Sequence, residues 1–327
     1  MDTVVLILDI LVCIAIALGI YYMVRDMVHH KDQTMAELKV GGWSKTIKTI
    51  IISTVFLFLD MFGIGSYGPH MACWKIFKVT RDEWIPGTLN VCMLTATLVE
   101  TLYLVNNVDV EMTTLIPCII AATLGSWLGG GIVVKLNVNK IRLAVGLALA
   151  IVGIVLILQL TGIMPTGTEG EGSHGLQGIS LVIIVAISLL FGALMTIGIG
   201  IYAPLLACAS LLGMDPLYAT PIMVGTCAFI CPAAAIRFAK ASYDSDKPKY
   251  DRKIAVVVTL TGWIGPVIAS NVLLALPTTA LKWIVVCVMF IVSAMMLYQW
   301  YNKSADAVAE KEDAELASIE SEPQQSQ

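Results

Sequence analysis

The chain has 327 residues, of which 57% are hydrophobic and only 13% charged, and its mean hydropathy is +0.83. Because soluble domains carry about 25% charged residues, this composition excludes an ordinary soluble protein. The formal net charge of -4 does not indicate a nucleic-acid partner, since the acidic excess is concentrated at 306–322, where seven acidic residues accompany one lysine.

Apolar runs near the ~20 residues that a helix needs to cross a bilayer recur along the chain. They cover 3–24, 46–64, 88–105, 112–134, 143–160, 179–198 and 254–276. Because lipid offers the backbone no hydrogen-bond partner, these runs predict an all-α polytopic membrane protein with the lipid bilayer as its solvent. The first run has no basic leader and no small-residue cleavage site, so we interpret 1–24 as a retained transmembrane helix rather than a signal peptide.

An internal repeat is visible without gaps. The segment GIGSYGPHMAC at 63–73 matches GIGIYAPLLAC at 198–208 with a spacing of 135, and the same register pairs Pro86 with Pro221. Nine of the thirty positions from 63 to 92 are identical between the two copies, whereas composition alone would give about two. The chain is therefore predicted to contain two copies of one transmembrane unit.

The positions of lysine and arginine predict the topology. Seventeen of the twenty fall in four regions, at 25–48, 75–81, 135–142 and 237–253, which the positive-inside rule places in the cytoplasm. All four can be cytoplasmic only if the short segments 66–79 and 201–213 each cross the membrane, so that the second repeat is inverted relative to the first. The alternative is that the short segments are re-entrant and the repeats are parallel.

These observations predict a multi-pass protein with its N-terminus outside and its C-terminus in the cytoplasm. The chain is predicted to have six parts. The parts are an N-terminal transmembrane helix (1–24), a basic cytoplasmic loop (25–45), transmembrane repeat 1 (46–160), an extracytoplasmic loop (161–178), transmembrane repeat 2 (179–300) and an acidic disordered cytoplasmic tail (301–327).

Inverted repeats with helices broken by glycine and proline are typical of secondary transporters, whose site lies near the midplane. The two Gly-Ile-Gly breaks begin at Gly63 and Gly198, and each is followed by a proline suited to the first turn of a new helix. Unpaired N–H groups at such half-helix starts would attract an anion. The alternative is that the glycines only allow close helix packing. The candidate substrate-binding residues are Gly63, Gly65, Ser66, Tyr67, His70, Asn90, Gly198, Gly200, Tyr202 and Thr226.

Ionisable groups inside a membrane are costly and are therefore functional candidates. Asp60, His70 and Glu100 are the candidates for proton coupling, and none has an ionisable counterpart in the second repeat. The alternative for the two carboxylates is a structural pair with satisfied hydrogen bonds. Histidine is included because it titrates near neutral pH.

Several motifs that would indicate other functions are missing from the sequence. The eight cysteines lie in apolar segments without metal-ligand spacing, so we interpret them as small apolar fillers and expect no metal or cofactor. Ser66 and His70 could suggest a serine protease, but the second repeat has Ile201 at the serine position, and no enzyme activity is expected. No phosphate-binding loop for ATP is present. An anion channel and a non-transporting accessory subunit remain alternatives to a transporter.

The order of these motifs resembles that of the TauE/SafE (TSUP) family of sulfite and organosulfonate anion exporters. The resemblance rests on the two breaks that lead into Pro69 and Pro204, on Gly225-Thr226, on the G-x-x-x-G step from Gly125, and on Arg142. It implies a permease in the cell (inner or plasma) membrane of a prokaryote, which moves small anions such as sulfite, sulfoacetate or related sulfonates and carboxylates and is coupled to protons. A homo-oligomer is compatible with this resemblance.

Overall fold

The computed structural model of the chain describes residues 3–132, 138–163, 173–195, 200–245 and 247–320. Helices make up 84% of the structure, and no strand forms in the described residues. The α-helices of this part of the chain are α1 (Thr3–His29), α2 (Lys31–Lys39), α3 (Gly42–Asp60), α4 (Tyr67–Ile76), α5 (Ile85–Cys92), α6 (Leu94–Asn107), α7 (Met112–Ile132), α8 (Val138–Leu160), α9 (Gly178–Met195), α10 (Tyr202–Leu211), α11 (Pro216–Tyr243), α12 (Arg252–Thr261), α13 (Ile264–Ala275) and α14 (Thr278–Glu320).

Many of these helices are suited to a bilayer. Within the described residues, six helical segments are long and apolar enough to span it, and α5 with α6 makes a seventh if this pair, bent by 43°, counts as one span. Lipid-facing side chains such as Ile7, Ile151 and Val182 are exposed, as expected where the bilayer is the solvent. The prediction of an all-α polytopic membrane protein is confirmed.

A buried ionic network closes one end of the helix bundle. The Nε of Arg252 donates to Asp26 Oδ2 at 3.0 Å, and its Nη1 donates to Glu37 Oε1 at 3.0 Å. The Tyr250 hydroxyl donates to the same Asp26 oxygen at 2.8 Å, and burial raises the pKa of Tyr250, so the phenol stays a donor. The network joins the end of α1 to α2 and to the start of α12. We call this the basic end, because it gathers the lysine- and arginine-rich segments.

The first hairpin, α3 with α4, starts and finishes at the basic end. Lys45 in the first turn of α3 donates to Asp251, and Thr80, which follows α4, donates to the same carboxylate at 2.8 Å. Helix α4 therefore returns the chain to the end where α3 begins. With ten residues, or about 15 Å, α4 is too short to cross a bilayer alone.

Hydrogen bonds also define the opposite end of the bundle. Asn106, at the end of α6, donates to Asp9 Oδ2 at 2.8 Å, and the following connector pairs through Glu111 N–H with His174 O at 3.0 Å. Asp9 and Asp26 are 17 residues apart on α1, a rise of about 25 Å. The two networks therefore lie at opposite ends of α1.

The second hairpin, α9 with α10, opens at this opposite end. Ser173, before α9, forms a β-bridge with Met214, after α10, and its carbonyl accepts from Asp215 N–H at 3.3 Å. The two hairpins thus enter the bundle from opposite ends.

Close helix packing beside the second hairpin depends on two glycines. A Cβ on Gly125 of α7 would lie 1.9 Å from the Leu189 carbonyl oxygen, and one on Gly192 of α9 would lie 2.1 Å from the Ala122 carbonyl oxygen. Since real side chains do not approach this closely, α7 and α9 can pack this way only with glycine at both positions.

Two segments differ from the sequence-based expectation. The predicted loop at 25–45 is largely helical, because α1 continues to His29 and α2 covers Lys31–Lys39. The predicted disordered tail is helical as far as Glu320, where α14 ends. Alanine, glutamate and lysine dominate that acidic segment, and these residues favour helix whether or not a core is available.

Candidate functional site

The first Gly-Ile-Gly break separates α3 from α4. Gly63 and Gly65 have φ values of 90° and 76°, a left-handed backbone that glycine adopts without a steric penalty. The positive φ at both positions turns the chain between Asp60 and Tyr67. In the second hairpin Gly198 lies outside the described residues, and Gly200 has open space around the position of a Cβ.

A cavity lies where the two breaks meet. Its free volume is about 20 Å³, which would admit one or two water molecules. The cavity touches Cys227 and Cys231 in the middle of the 28-residue α11, and it also reaches Met93 at the bend between α5 and α6. Its other lining residues are Asp60, Gly65, Ser66, Tyr67, Thr97, Met195, Gly200, Ile201 and Tyr202. The cavity is therefore at mid-depth in the bundle.

The Asp60 carboxylate binds the start of α4. Its Oδ1 accepts from the Ser66 backbone N–H and its Oδ2 accepts from the Ser66 hydroxyl, both at 2.7 Å. The sequence predicted a free N–H group at this half-helix start, but the chain's own carboxylate already uses it. The equivalent residue in the second hairpin is Met195, which has no charge, and no side chain caps α10 at Ile201.

Two tyrosines at matching repeat positions flank the cavity. The Tyr202 hydroxyl donates to Glu100 Oε2 at 3.0 Å, while the other carboxylate oxygen, Oε1, is buried without a partner in the described structure. The Tyr67 hydroxyl donates to Asn90 Oδ1 at 3.2 Å and lies 3.4 Å from the Cys231 sulfur. Each phenol thus links its hairpin to the α5–α6 pair across the cavity.

Five of the predicted residues that the structure describes do not line this cavity. Asn90 and Glu100 lie behind the two tyrosines, and His70, Thr226 and Gly63 make other contacts. His70 is buried beside Phe56 and Trp74, and its Nδ1 donates to the Ser66 carbonyl at 2.8 Å. Thr226 donates to the Met223 carbonyl of its own helix at 2.8 Å. Gly63 packs toward the second hairpin, since a Cβ there would lie 2.6 Å from Leu206 Cδ2.

Sequence reasoning missed the sulfur-containing side chains of the site. Cys227, Cys231, Met93 and Met195 all line the cavity, and the Cys227 thiol lies 3.8 Å from the Met195 sulfur. The signal available was the alignment of Cys92 with Cys227, together with the four-residue spacing of Cys227 and Cys231 that places both on one helix face. In the described residues, no three His, Cys, Asp or Glu side chains form a group that could hold a metal ion.

These features define a multi-pass helical membrane protein in which two broken-helix hairpins meet at a mid-depth cavity that contains a buried carboxyl group, an arrangement found in transporters. The profile of the family described as sulfite exporter TauE/SafE matches residues 83–296, more than half of the chain. The chain belongs to the TauE/SafE family, whose members are membrane transporters and not enzymes. Searches of curated proteins and of solved structures found no matching chain.

Proposed function

We propose that this protein is a secondary transporter that moves small anions such as sulfite, sulfoacetate or related sulfonates and carboxylates through the cavity between the two breaks. The observation that carries the proposal is the meeting of the two hairpin breaks at one mid-depth cavity that contains the Asp60 carboxylate. Family membership supports the transport of an anion.

We further propose that the two repeats have inverted topology. The contacts of Thr80 with Asp251 and of Ser173 with Met214 support this, because the hairpins open at opposite ends of the bundle. Three crossings then follow each hairpin, at α5–α6, α7 and α8 in the first repeat, and at α11, α12–α13 and α14 in the second. An odd number of crossings in each repeat gives the second the opposite orientation.

Coupling to protons would follow from competition between the Asp60 carboxylate and a substrate anion for the Ser66 donors at the start of α4. While Asp60 is charged, it repels an entering anion and holds both Ser66 donors in charge-assisted hydrogen bonds. A proton on Asp60 removes that charge and weakens its hold, so that a substrate oxygen can take the Ser66 N–H and hydroxyl. Glu100, which contacts Tyr202 at the cavity wall, is the second candidate proton carrier.

Binding of an anion would also require movement. A free volume of about 20 Å³ is smaller than sulfite needs, so the hairpins must separate to admit it. Opening toward one end and then the other, with the cavity between, is alternating access, the mechanism expected for broken-helix repeats. The setting we propose is the cell membrane of a prokaryote, with the N-terminus outside and the basic end in the cytoplasm.

Reconstitution of the full chain in proteoliposomes tests the proposal. Sulfite and a two-carbon sulfonate should enter saturably, and a pH gradient should drive their accumulation. Saturable uptake that does not depend on the pH gradient would indicate a transporter that is not coupled to protons. Non-saturating flux would indicate a channel instead. If no small anion moves although the protein is folded and monodisperse, the accessory-subunit alternative replaces transport.

A further inference from the structure

A second, larger cavity lies at the basic end, between α4, α8 and α14. Its volume is about 310 Å³, within the range of small-ligand sites. Lys75, near the end of α4, and Asn302, at the end of the membrane span in α14, place it at the level where lipid headgroups begin. Lys75 is eight residues from Tyr67, about 12 Å along α4, so this cavity is separate from the one between the breaks.

Arg142 is the central feature of this cavity. The residue is only 7% exposed, and its Nε has no hydrogen-bond partner in the described structure. None of the described residues that line the cavity is acidic. Because a buried guanidinium without a paired anion is costly, the site has the form of one that an anion completes.

The lining indicates what kind of anion fits. A guanidinium offers a planar fork of donors that matches the oxygens of a phosphate or sulfonate group. The amides of Gln299 and Asn302 and the phenol of Tyr298 add neutral polar groups, and Met71 supplies an apolar wall. This combination suits a tetrahedral oxyanion that carries or adjoins an apolar part.

We propose that the Arg142 cavity is a binding site for a phosphate-like oxyanion, either the headgroup phosphate of an anionic phospholipid or a free oxyanion at the same position. The proposal is independent of the transport cycle, since none of its residues lines the cavity between the breaks. Basic pockets between membrane helices at the cytoplasmic surface are established binding sites for such headgroups.

Lipid binding by the purified full chain tests whether the bound oxyanion is the headgroup phosphate of an anionic phospholipid. In nanodiscs of phosphatidylcholine alone or with phosphatidylglycerol added, thermal unfolding reports stabilisation by the anionic lipid, and native mass spectrometry counts the lipid retained. Phosphatidylglycerol should raise the Tm of the wild type, while Arg142→Gln should weaken its retention about tenfold or more. In phosphatidylcholine alone, Arg142→Gln should be at least as stable as the wild type, because it removes a buried charge that pairs with no acidic side chain in the described residues.

Lys282 provides the matched control. It is the fifth residue of α14, as Arg142 is the fifth of α8, but it lies at the opposite end, 4.0 Å from Asp215. Lys282→Gln should leave the response to phosphatidylglycerol unchanged.

Binding of a free oxyanion is tested in neutral detergent with inorganic phosphate. Stabilisation by phosphate that Arg142→Gln abolishes, without retention of phosphatidylglycerol, assigns the site to a free oxyanion. If Arg142→Gln does not fold, Arg142→Lys keeps the charge and removes the planar fork, and it should show weaker binding. Equal lipid retention and equal phosphate response in wild type and the folded variant would overturn the proposal.

Discussion

At the scale of single residues, Asp60 is the side chain on which the coupling hypothesis depends most. It is buried at the cavity wall, and within the described residues its carboxylate accepts hydrogen bonds from Ser66 alone. The groups that surround the cavity on the other elements are Tyr67, Tyr202, Cys227 and Cys231, with Glu100 behind Tyr202. None of these is basic, so a proton is the cation most readily available to neutralise Asp60.

Replacement of Asp60 by asparagine should separate transport from the pH gradient. Asparagine keeps an oxygen that can accept from Ser66 N–H, but it cannot exchange a proton. For symport of one proton with a monovalent anion, a gradient of one pH unit supports about tenfold accumulation, equivalent to about 1.4 kcal/mol. The Asp60→Asn variant should exchange anions yet accumulate none above the external concentration, as measured by flux into proteoliposomes.

Asp9→Asn is the control for this prediction. Asp9 is also a buried aspartate, but it binds Asn106 at the opposite end and is far from the cavity. The control should accumulate anions like the wild type. Normal accumulation by Asp60→Asn would show that another group carries the coupling proton, and Glu100 would be the first such group to test.

The contrast between Tyr67 and His70 explains why the site was only partly predictable from the sequence. The repeated break directed attention to Asp60, Ser66, Tyr67 and Tyr202, and all four line the cavity. His70 is one turn from Ser66 yet packs against Phe56 on α3. In a membrane protein the lipid-facing and protein-facing sides of a helix are both apolar, so the sequence does not reveal which side a buried polar group faces.

At the scale of helices and turns, the two breaks are similar in sequence, but the last glycine of each, Gly65 or Gly200, differs in backbone conformation. Gly65 has a φ of 76° and nothing within 4 Å of the position of a Cβ. Gly200, its repeat counterpart, also has open space but no left-handed φ. The cost of adding a methyl group should therefore arise from the backbone at Gly65 and should be small at Gly200.

Alanine at Gly65 should lower the stability of the protein, whereas alanine at Gly200 should lower its transport rate. The Gly65→Ala variant should lose about 1–2 kcal/mol of stability, because an L-residue is strained in the left-handed region. The Gly200→Ala variant should unfold at the wild-type temperature, but its methyl group would occupy a cavity of about 20 Å³ and should slow flux. Thermal unfolding in detergent and proteoliposome flux measure the two effects. Equal losses of stability would contradict the assigned backbone difference.

The hairpins also show which part of the fold the sequence could predict. The placement of basic residues predicted that 25–48, 75–81, 135–142 and 237–253 would share one side. The contacts of Arg252, Lys45 and Thr80 bring three of these segments, 25–48, 75–81 and 237–253, together. Charge patterning was informative because charged segments cannot rest in lipid. It could not predict the helix α2 inside the basic segment, since amphipathic surface helices and polar loops have similar composition.

At the scale of the whole molecule, the Arg252 network is the main connection that keeps the basic end closed. Arg252 and Asp26 are both fully buried, and Arg252 also binds Glu37. The Arg252→Gln variant should lose about 3–5 kcal/mol of stability, because it leaves the buried Asp26 charge without its cationic partner. Thermal unfolding in detergent measures this loss.

Two variants show whether charge pairing is the cause. Lys253→Gln removes the same charge from the next residue. Among the described residues, however, Lys253 donates only to the carbonyls of Val40 and Gly42, so the loss should be smaller. Adding Asp26→Asn to Arg252→Gln removes the unpaired carboxylate and should restore part of the stability. If the double variant is no more stable than Arg252→Gln, pairing with Asp26 is not the source of the effect.

The orientation of the whole molecule can be tested with one exposed position at each end. Asp109, whose side chain is 93% exposed, lies at the opposite end beside His174, and Lys247 is exposed beside the basic end. The positive-inside rule places the basic end in the cytoplasm. In intact cells a membrane-impermeant maleimide should therefore label the Asp109→Cys variant but not Lys247→Cys, and permeabilised cells should label both. The parent protein, whose exposed Cys13 and Cys287 lie in apolar spans, sets the background. Labelling of Lys247→Cys alone in intact cells would reverse the orientation and would also place the Arg142 cavity at the outer surface.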